Sequence, residues 1–278
     1  ITVFQINVPT NNKITRQICD KFHSTNDVPI KDKNGRLLTT EDEQKARWTE
    51  QFKDVLNISA PDEEAIITEA IRDLEIDINL PNRQEIITAI TLLKNGISPG
   101  QDNLNAELFK ADPELTADVL QSPFPSIWEG KIIPDDWTKG IIKTLAKKGA
   151  LSDCNNWRGI TLLSIPSKVM AKIIIQRITD AIDKQLREDV VKIEMHRSDF
   201  AKRNIIEHCT EWQRQLYNNF VDFQKAFDSI NRRTLWCVLR AYGIPKEIVE
   251  LIKSFYNNFA CSVGHSNIWF EVKTGVRQ

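Results

Sequence analysis

The chain has 278 residues, of which 41% are hydrophobic and 27% are charged, and its formal net charge is −1. This apolar content is ordinary for a packed protein and excludes a wholly disordered chain. Apolar runs are short and interrupted by charged or polar residues, so none approaches the ~20 residues that a membrane-spanning helix needs. We expect no membrane partner, and the length allows one large domain or two ordinary ones.

The five cysteines lie far apart in the sequence, and none belongs to a C-x-x-C pair or to a His/Cys metal-ligand spacing. We therefore expect neither a disulfide framework nor a zinc site, and a reducing intracellular compartment, the nucleus or the cytoplasm, fits best. Residues 1–9 have no basic region and no cleavage site, so no signal peptide is predicted. Because Ile1 is not a methionine, we expect the sequence to be a fragment.

Charge is distributed unevenly along the chain. Residues 1–130 hold 13 Lys and Arg against 22 Asp and Glu, whereas residues 131–203 hold 15 against 9. A basic middle segment suits a polyanionic partner such as nucleic acid. A set of solvated helix faces produces the same pattern and is the more common origin of it, so charge alone leaves both interpretations open.

The first part of the chain, residues 1–80, is predicted to be a helical and linker region. A turn near residue 33 is followed by a charged helix whose apolar side includes Trp48 and Phe52. Residues 62–79 form an acidic amphipathic stretch. Residues 81–278 follow as the main domain.

A better-defined helix begins the main domain. Asn82 and Glu85 have the spacing of a capping box, and the apolar positions repeat at helical intervals through Leu93. Ser98–Asp102 is a loop by its turn residues. Another helix is predicted to run to about Leu120, where prolines interrupt it.

The rest of the chain mixes short strands with helices. The predicted elements are a strand at 140–147, a helix from Ser167 to Leu186, a strand at 215–223, helices from Asn231 and Pro245, and a hairpin over 260–278. These elements predict a mostly helical α+β fold.

Asp222 is the residue that points most directly to chemistry. It ends an apolar strand candidate, and Phe223 and Phe227 follow it. A buried carboxylate is costly unless a cation neutralises it, and a hard divalent ion such as Mg²⁺ fits an oxygen ligand. From the residues alone, a strand-end Asp that caps a helix or pairs with Arg232 or Arg233 is the more common case.

The segment 220–229, Phe-Val-Asp-Phe-Gln-Lys-Ala-Phe-Asp-Ser, resembles the first catalytic motif of the reverse transcriptases of non-LTR (LINE-like) retrotransposons. Other segments resemble further signatures of this family, in the family's order: Ser98–Asp102, Ile133–Trp137, Lys147–Gly149, Ser152–Ser164, Tyr242–Pro245 and Val272–Gln278. The resemblance covers roughly residues 80–278. Several independent motifs in the same order make it far more specific than one Asp-containing strand.

The resemblance implies a right-hand polymerase fold of the α+β class, with a small antiparallel palm sheet. Residues 81–278 would be the fingers and the N-terminal half of the palm, and residues 1–80 the linker before them. The implied activity is that of an RNA-directed DNA polymerase, a nucleotidyltransferase that copies an RNA template from a DNA primer. It would use dNTPs and Mg²⁺.

The resemblance also assigns roles to single residues in the catalytic motif. Asp222 would bind both catalytic Mg²⁺ ions, assisted by the carbonyl of Phe223, so that the metals activate the primer hydroxyl and stabilise pyrophosphate. Phe227 would be the steric gate under the incoming sugar, with an ordinary core aromatic as the alternative. Asp228 is expected to be a helix cap or a structural residue.

Further roles concern the triphosphate and the nucleotide. Arg158, together with Lys147 or Lys148, would grip the triphosphate, because a guanidinium fork and an ammonium both suit phosphate oxygens. For the two lysines a solvated surface is the alternative. Gln278 would lie beside the incoming nucleotide.

Two departures from the family pattern matter. The family's aromatic-x-Asp-Asp motif, which supplies the remaining metal carboxylate, does not occur before Gln278, and Asp135-Asp136 lies on the wrong side of Asp222 to replace it. Residues 188–203 lack the glycines of the family's template-contacting loop. We therefore expect the fragment to be inactive, and the alternative function is that of a non-catalytic nucleic-acid-binding remnant of a decayed element.

Overall fold

The computed structural model describes residues 29–59, 66–189, 195–217, 225–264 and 266–277, with backbone only for 184–189 and 195–202. In chain order its helices and strands are β1 Ile30–Lys31, β2 Leu37–Leu38, α1 Glu41–Leu56, α2 Arg83–Thr91, α3 Ala106–Ala111, α4 Pro113–Gln121, α5 Phe124–Trp128, β3 Lys139–Ala146, β4 Trp157–Leu162, α6 Ile165–Asp189, α7 Met195–Glu211, α8 Arg232–Ala241, α9 Lys246–Ser254, β5 Ala260–Val263 and β6 Trp269–Glu271. The fold is α+β with small sheets, as predicted. Within the described ranges, no helix combines the length and the apolarity that crossing a bilayer requires.

The main sheet has four strands in the order β4-β3-β5-β6. Strand β3 pairs antiparallel with β4 over Ile141–Ala146 and parallel with β5 over Lys139–Ile142. Strands β5 and β6 form the antiparallel hairpin predicted at the end of the chain. The sheet is therefore mixed, and the antiparallel palm sheet expected around Asp222 concerns residues outside the described part.

The larger core lies among the helices. Its largest fully buried side chains include Ile86, Ile90, Phe124, Ile127, Ile165, Val169, Met170, Ile248 and Leu251 of α2, α5, α6 and α9, and Ile244 just before α9. Each such side chain contributes on the order of 1.5–3 kcal/mol of transfer free energy. This core holds the helical part of the fold together.

A second core joins helix α1 to one face of the sheet. Phe52 and Leu56 of α1 pack with Ile142 of β3 and Phe270 of β6. A side chain at Gly159 would place its Cβ 2.5 Å from the Phe52 ring, so the close approach of α1 to β4 requires a glycine. The division of the chain at residue 80 remains a prediction, but α1 contacts the sheet directly.

Several predicted elements are confirmed by the structure. Helix α2 has the complete capping box of Asn82 and Glu85, and Asn231 caps α8 by accepting from the amide of Thr234. Helix α1, strand β3 and the terminal hairpin lie where they are expected. Asp135–Trp137 forms a single 3₁₀ turn directly after Pro134.

Other predictions need correction. Strand β4 is not among the predicted elements. Pro123 and Pro125 lie at the start of α5 rather than only interrupting a helix, since proline fits the first turn. Of the strand predicted at 215–223, residues 215–217 have no regular structure, and residues 218–223 lie outside the described part of the chain.

Residues 66–80 contain neither helix nor strand, although their sequence is amphipathic. Their backbone instead binds the end of α8: the amide of Leu74 donates to the carbonyl of Gly243 at 2.6 Å, and that of Ala70 to the carbonyl of Arg240 at 3.2 Å. The segment satisfies its backbone groups through these tertiary bonds, so it follows the helices rather than forming one.

The buried Arg177 of α6 ties three parts of the helical layer together. Its guanidinium binds the carboxylate of Glu85 through two bonds of 2.7 and 2.8 Å and donates to the carbonyls of Asp77 and Asn79. It also lies 5.0 Å from the ring centroid of Trp128. The bond to Arg177 lowers the pKa of Glu85, and burial opposes this shift.

Candidate active site

A cleft of about 530 Å³ opens between helix α1, the β3–β4 hairpin and the turn at residues 225–229. Phe52, Val55, Trp157 and Gly159 are among its apolar lining residues, and its polar and aromatic lining includes Lys147, Arg158, Lys225, Phe227 and Asp228. Three of the residues singled out by the family resemblance, Lys147, Arg158 and Phe227, therefore line one cleft, although 80 positions separate the first from the last.

Antiparallel pairing brings the two predicted phosphate-binding cations to the same end of the hairpin. Arg158 in β4 pairs with Leu145, and the amide of Lys147 donates to the carbonyl of Asn156 at 2.7 Å just beyond the last strand pair. Lys148, the alternative to Lys147, does not line the cleft. The hairpin register thus decides which of the two neighbouring lysines faces the cleft.

Lys225 and Asp228 add a third cation and a carboxylate from the turn at residues 225–229. Burial lowers the pKa of Lys225, while Asp228 opposes this shift. Burial likewise raises the pKa of Asp228, against the attraction of Lys225, Arg158 and Lys147. The cleft therefore gathers three cationic side chains around one acid, an excess of positive charge that suits an anionic ligand.

Lys225 is a site residue that the sequence analysis did not single out. Its place in the same motif, between Asp222 and Phe227, was the available signal. Asp228 was expected to be a cap or a structural residue. Its side chain does not cap α8, which Asn231 does, but its carbonyl accepts a 3.2 Å bond from the hydroxyl of Thr274.

Phe227 lies at the mouth of the cleft with 55% of its surface exposed. It is therefore not a core residue within the described part of the chain. Its backbone is fixed, because its carbonyl accepts a bond of 3.0 Å from the amide of Val276. The ring is therefore an exposed part of the cleft lining, on a turn whose backbone is bonded to the segment before the end of the chain.

The turn that carries Phe227 is held by the segment before the end of the chain. Gly275 has a φ of +76°, and a Cβ there would lie 2.7 Å from the carbonyl oxygen of Asp228. Arg232 donates to the carbonyls of Val272, Thr274 and Gly275 at 2.7, 3.2 and 3.0 Å. Arg232, which the sequence analysis considered as an alternative partner of Asp222, therefore uses its guanidinium for these three bonds.

The metal site predicted at Asp222 cannot be described from the structure. Asp222, Phe223 and Gln278 lie outside the described residues. In the described ranges no group of three or more His, Cys, Asp or Glu side chains could hold a metal ion. The acid of the cleft, Asp228, has a pKa that burial raises and that the three neighbouring cations oppose.

Comparison with known proteins bears on this cleft directly. Residues 145–278 match the family described as reverse transcriptase (RNA-dependent DNA polymerase), and this range includes all the cleft residues from Lys147 onward. The chain is 26% identical over 194 residues to the transposon TX1 uncharacterized 149 kDa protein of Xenopus laevis, covering 68% of this chain and 15% of that protein.

Two Drosophila melanogaster proteins are also similar. The probable RNA-directed DNA polymerase from transposon BS is 25% identical over 257 residues, which cover 80% of this chain and 27% of that protein. The retrovirus-related Pol polyprotein from type-2 retrotransposable element R2DM is 32% identical over 77 residues, which cover 27% of this chain and 7% of that protein. The chain thus spans at most about a quarter of these relatives. Residues 145–278 thus correspond to a reverse transcriptase domain of the kind found in non-LTR (LINE-like) retrotransposons.

Proposed function

We propose that the cleft binds the triphosphate of an incoming dNTP, as the nucleotide site of an RNA-directed DNA polymerase. The observation that carries this proposal is the convergence of Lys147, Arg158 and Phe227 on one cleft from two distant parts of the chain. Its volume of about 530 Å³ lies within the usual range for small-molecule sites. The described elements would then belong to the fingers and part of the palm of a right-hand polymerase.

The charges of the cleft support a triphosphate ligand. The planar guanidinium of Arg158 can bind two phosphate oxygens at once, and the ammonium groups of Lys147 and Lys225 act as point charges. Lys225 and Asp228 are partly shielded from water, so a phosphate there is attracted more strongly than it would be in solution. Template RNA and primer DNA are partners within the same proposal.

Metal chemistry enters this proposal through Asp222 alone. In the sequence, Asp222 lies five positions before Phe227, whose ring lines the cleft. Mg²⁺ bound there would supply the charge that activates a primer hydroxyl and stabilises pyrophosphate. A reducing intracellular location, the nucleus or the cytoplasm, belongs to the same proposal.

Discrimination between dATP and ATP tests the proposal. If Phe227 lies under the sugar, the chain binds a fluorescent dATP analogue more tightly than the matching ATP analogue. Phe227→Val should then reduce the ratio of the two affinities about tenfold, since a steric contact with the sugar contributes on the order of 1–3 kcal/mol. Tyr242→Val, at another aromatic that is 66% exposed, is the matched control. Equal affinities of the unmodified chain for both nucleotides would contradict the gate.

Nucleic-acid binding without catalysis is the second candidate function. It is favoured by the lysines along β3, which remain at the surface rather than forming part of either core. Nucleic-acid affinity that falls steeply with salt, in a chain that binds no dNTP, would support this candidate over the first.

A further inference from the structure

Two half-buried arginines lie against the same aromatic ring. Arg232 is the first residue of α8, and Arg277 follows β6 in the segment that holds the turn at residues 225–229. The guanidinium carbons of Arg232 and Arg277 lie 4.6 and 5.2 Å from the centroid of the Tyr256 ring. That of Arg277 also lies 4.0 Å from the ring centroid of Phe259, a residue of the second core. Two positive charges therefore share one aromatic wall.

The hydrogen bonds of the two guanidinium groups differ. Arg232 donates to three backbone carbonyls of residues 272–275. Arg277 donates from Nη1 to the carbonyl of Trp137 at 3.1 Å. Its Nε and Nη2 atoms are buried, and no described residue accepts a hydrogen bond from either. Two donors of a charged group thus lack an acceptor, an arrangement that is costly away from water.

The charge of Arg277 is not compensated by a described carboxylate. Burial lowers its pKa to about 10, so the guanidinium remains protonated at neutral pH. Burial raises the pKa of the neighbouring Cys261 thiol to about 12, so this group supplies no negative charge. Glu271, whose charge acts on Arg232, is exposed and lies 3.9 Å from Lys273. A counter-ion for Arg277 therefore has to come from outside the described residues.

A small cavity adjoins both guanidinium groups. Its volume is about 20 Å³, and its lining includes the apolar side chains of Phe259, Val272 and Val276. One water-sized sphere needs roughly 10–15 Å³, so the cavity accepts a monatomic ion but is too small for phosphate or sulfate. An apolar lining also strengthens the attraction between a buried ion and the two cations.

Asp228 lines this cavity as well as the cleft. Burial raises its pKa, and the cations that act on it are Lys225, Arg158 and Lys147 rather than Arg277. The carboxyl group therefore interacts with the cations of the cleft and leaves the charge of Arg277 uncompensated.

We propose that the cavity between Arg232 and Arg277 binds a small monovalent anion of the size of chloride. The Nε and Nη2 atoms of Arg277 would donate to the ion, and its charge would neutralise the neighbouring guanidinium groups. Because Arg232 binds the carbonyls of residues 272–275, the ion would stabilise the attachment of this segment to α8. The ion site does not depend on which ligand the cleft binds.

Thermal unfolding of the 278-residue chain in two sodium salts tests the proposal. Chloride and gluconate are compared at the same ionic strength of about 150 mM, so that general screening is equal. The melting temperature should be about 4 °C higher in chloride, because an ion that binds only the folded chain stabilises it and gluconate is too large for the cavity. Equal melting temperatures in the two salts would overturn the proposal.

A matched pair of variants locates the effect. Arg277→Met removes the two unpaired donors but keeps a long side chain, and it should abolish the difference between the two salts. Arg83→Met removes an exposed arginine that pairs with Glu114 and Asp118, and it should preserve the difference. A difference that persists equally in both variants would be a general salt effect and would refute the site.

A third variant tests whether Asp228 is the true counter-ion of Arg277. Asp228→Asn removes a negative charge from the wall of the cavity, so the difference between chloride and gluconate should persist or increase. If the difference appears only in Asp228→Asn and not in the unmodified chain, the carboxylate already fills this role and no anion site exists.

Anomalous diffraction from crystals of the unmodified chain grown in sodium bromide requires no variant to fold. Bromide is close to chloride in size, and an anomalous peak is expected within hydrogen-bond distance of Nε and Nη2 of Arg277. Density without an anomalous signal would identify water as the acceptor and reject the anion. Because dNTP binding enters none of these measurements, a failure of the cleft as a nucleotide site would leave their outcome unchanged.

Discussion

Two glycines allow the walls of the cleft to approach each other, because a Cβ at either position would be too close to a neighbouring atom. Gly159 lets the ring of Phe52 approach β4, and Gly275 lets the segment before the end of the chain contact the backbone of Asp228. The first position fixes α1 against the hairpin, and the second fixes the turn of Phe227. The geometry of the cleft therefore depends on residues that carry no functional group.

We predict that Gly275→Ala destabilises the chain by about 2–4 kcal/mol, because it combines a positive φ with a contact that its Cβ cannot make. Gly96 has a similar φ of +72°, but no described atom lies within 4 Å of the position its Cβ would take. Gly96→Ala should therefore cost only about 1 kcal/mol. Urea unfolding of both variants measures the difference, and equal losses would show that the packing on Asp228 is unimportant.

Local sequence signals predicted part of the candidate site. Arg158, the two candidate lysines and Phe227 were predicted from motifs that resemble those of the family. The choice between Lys147 and Lys148 stayed open because it depends on how β3 pairs with β4. The contribution of Lys225 and Asp228 was missed for a related reason. Which side chains of a turn face a cleft is decided by tertiary bonds such as those of Gly275 and Val276, which no local pattern reveals.

At the scale of the elements, sequence signals that span a few residues predicted those helices and strands that local interactions determine. The capping box of α2, the apolar side of α1 and the terminal hairpin are encoded within a few residues. Strand β4 was missed because its stability comes from pairing with β3 and from Phe52 filling the space above Gly159. Residues 66–80 are amphipathic without forming a helix, and their backbone groups bind the end of α8 and Arg177 of α6 instead.

Arg177 is the residue on which the arrangement of α2, α6 and residues 77–79 depends. We predict that Arg177→Lys lowers the free energy of unfolding by about 2–4 kcal/mol, since an ammonium cannot replace four directed bonds at a buried site. Arg83 provides the matched control, because its pairs with Glu114 and Asp118 are exposed. Arg83→Lys should cost less than about 1 kcal/mol. Comparable losses in chemical denaturation would contradict the role given to Arg177.

At the scale of the whole molecule, the uneven charge has two structural origins. Acidic residues of the segment 1–130 pair with arginines of later helices, as Glu85 does with Arg177 of α6 and Asp73 with Arg240 of α8. Lys139 and Lys143 of β3 instead stay at the surface of the sheet, and Lys147, just after β3, lines the cleft. The basic middle segment is thus partly structural and partly available to a polyanion, a division that charge counts could not make.

Catalysis by the whole 278-residue chain depends on the carboxylates that it offers to Mg²⁺. We predict that the 278-residue chain shows no Mg²⁺-dependent extension of a DNA primer on an RNA template, because a single carboxylate holds two metal ions poorly. Gel analysis of a labelled primer should give the same result for the unmodified chain and for Asp222→Asn. Extension that Asp222→Asn abolishes would refute this prediction.

The most direct test of the cleft as a nucleotide site compares two neighbouring lysines. Affinity for a fluorescent dNTP should fall about tenfold or more in Lys147→Ala, because a charged bond to phosphate contributes roughly 1.5–3 kcal/mol. Lys148→Ala removes the same charge one residue away, outside the cleft, and should change the affinity by less than about twofold. If the two variants bind the dNTP equally well, or if Lys148→Ala has the larger effect, the triphosphate does not lie where the structure brings Lys147, Arg158 and Phe227 together.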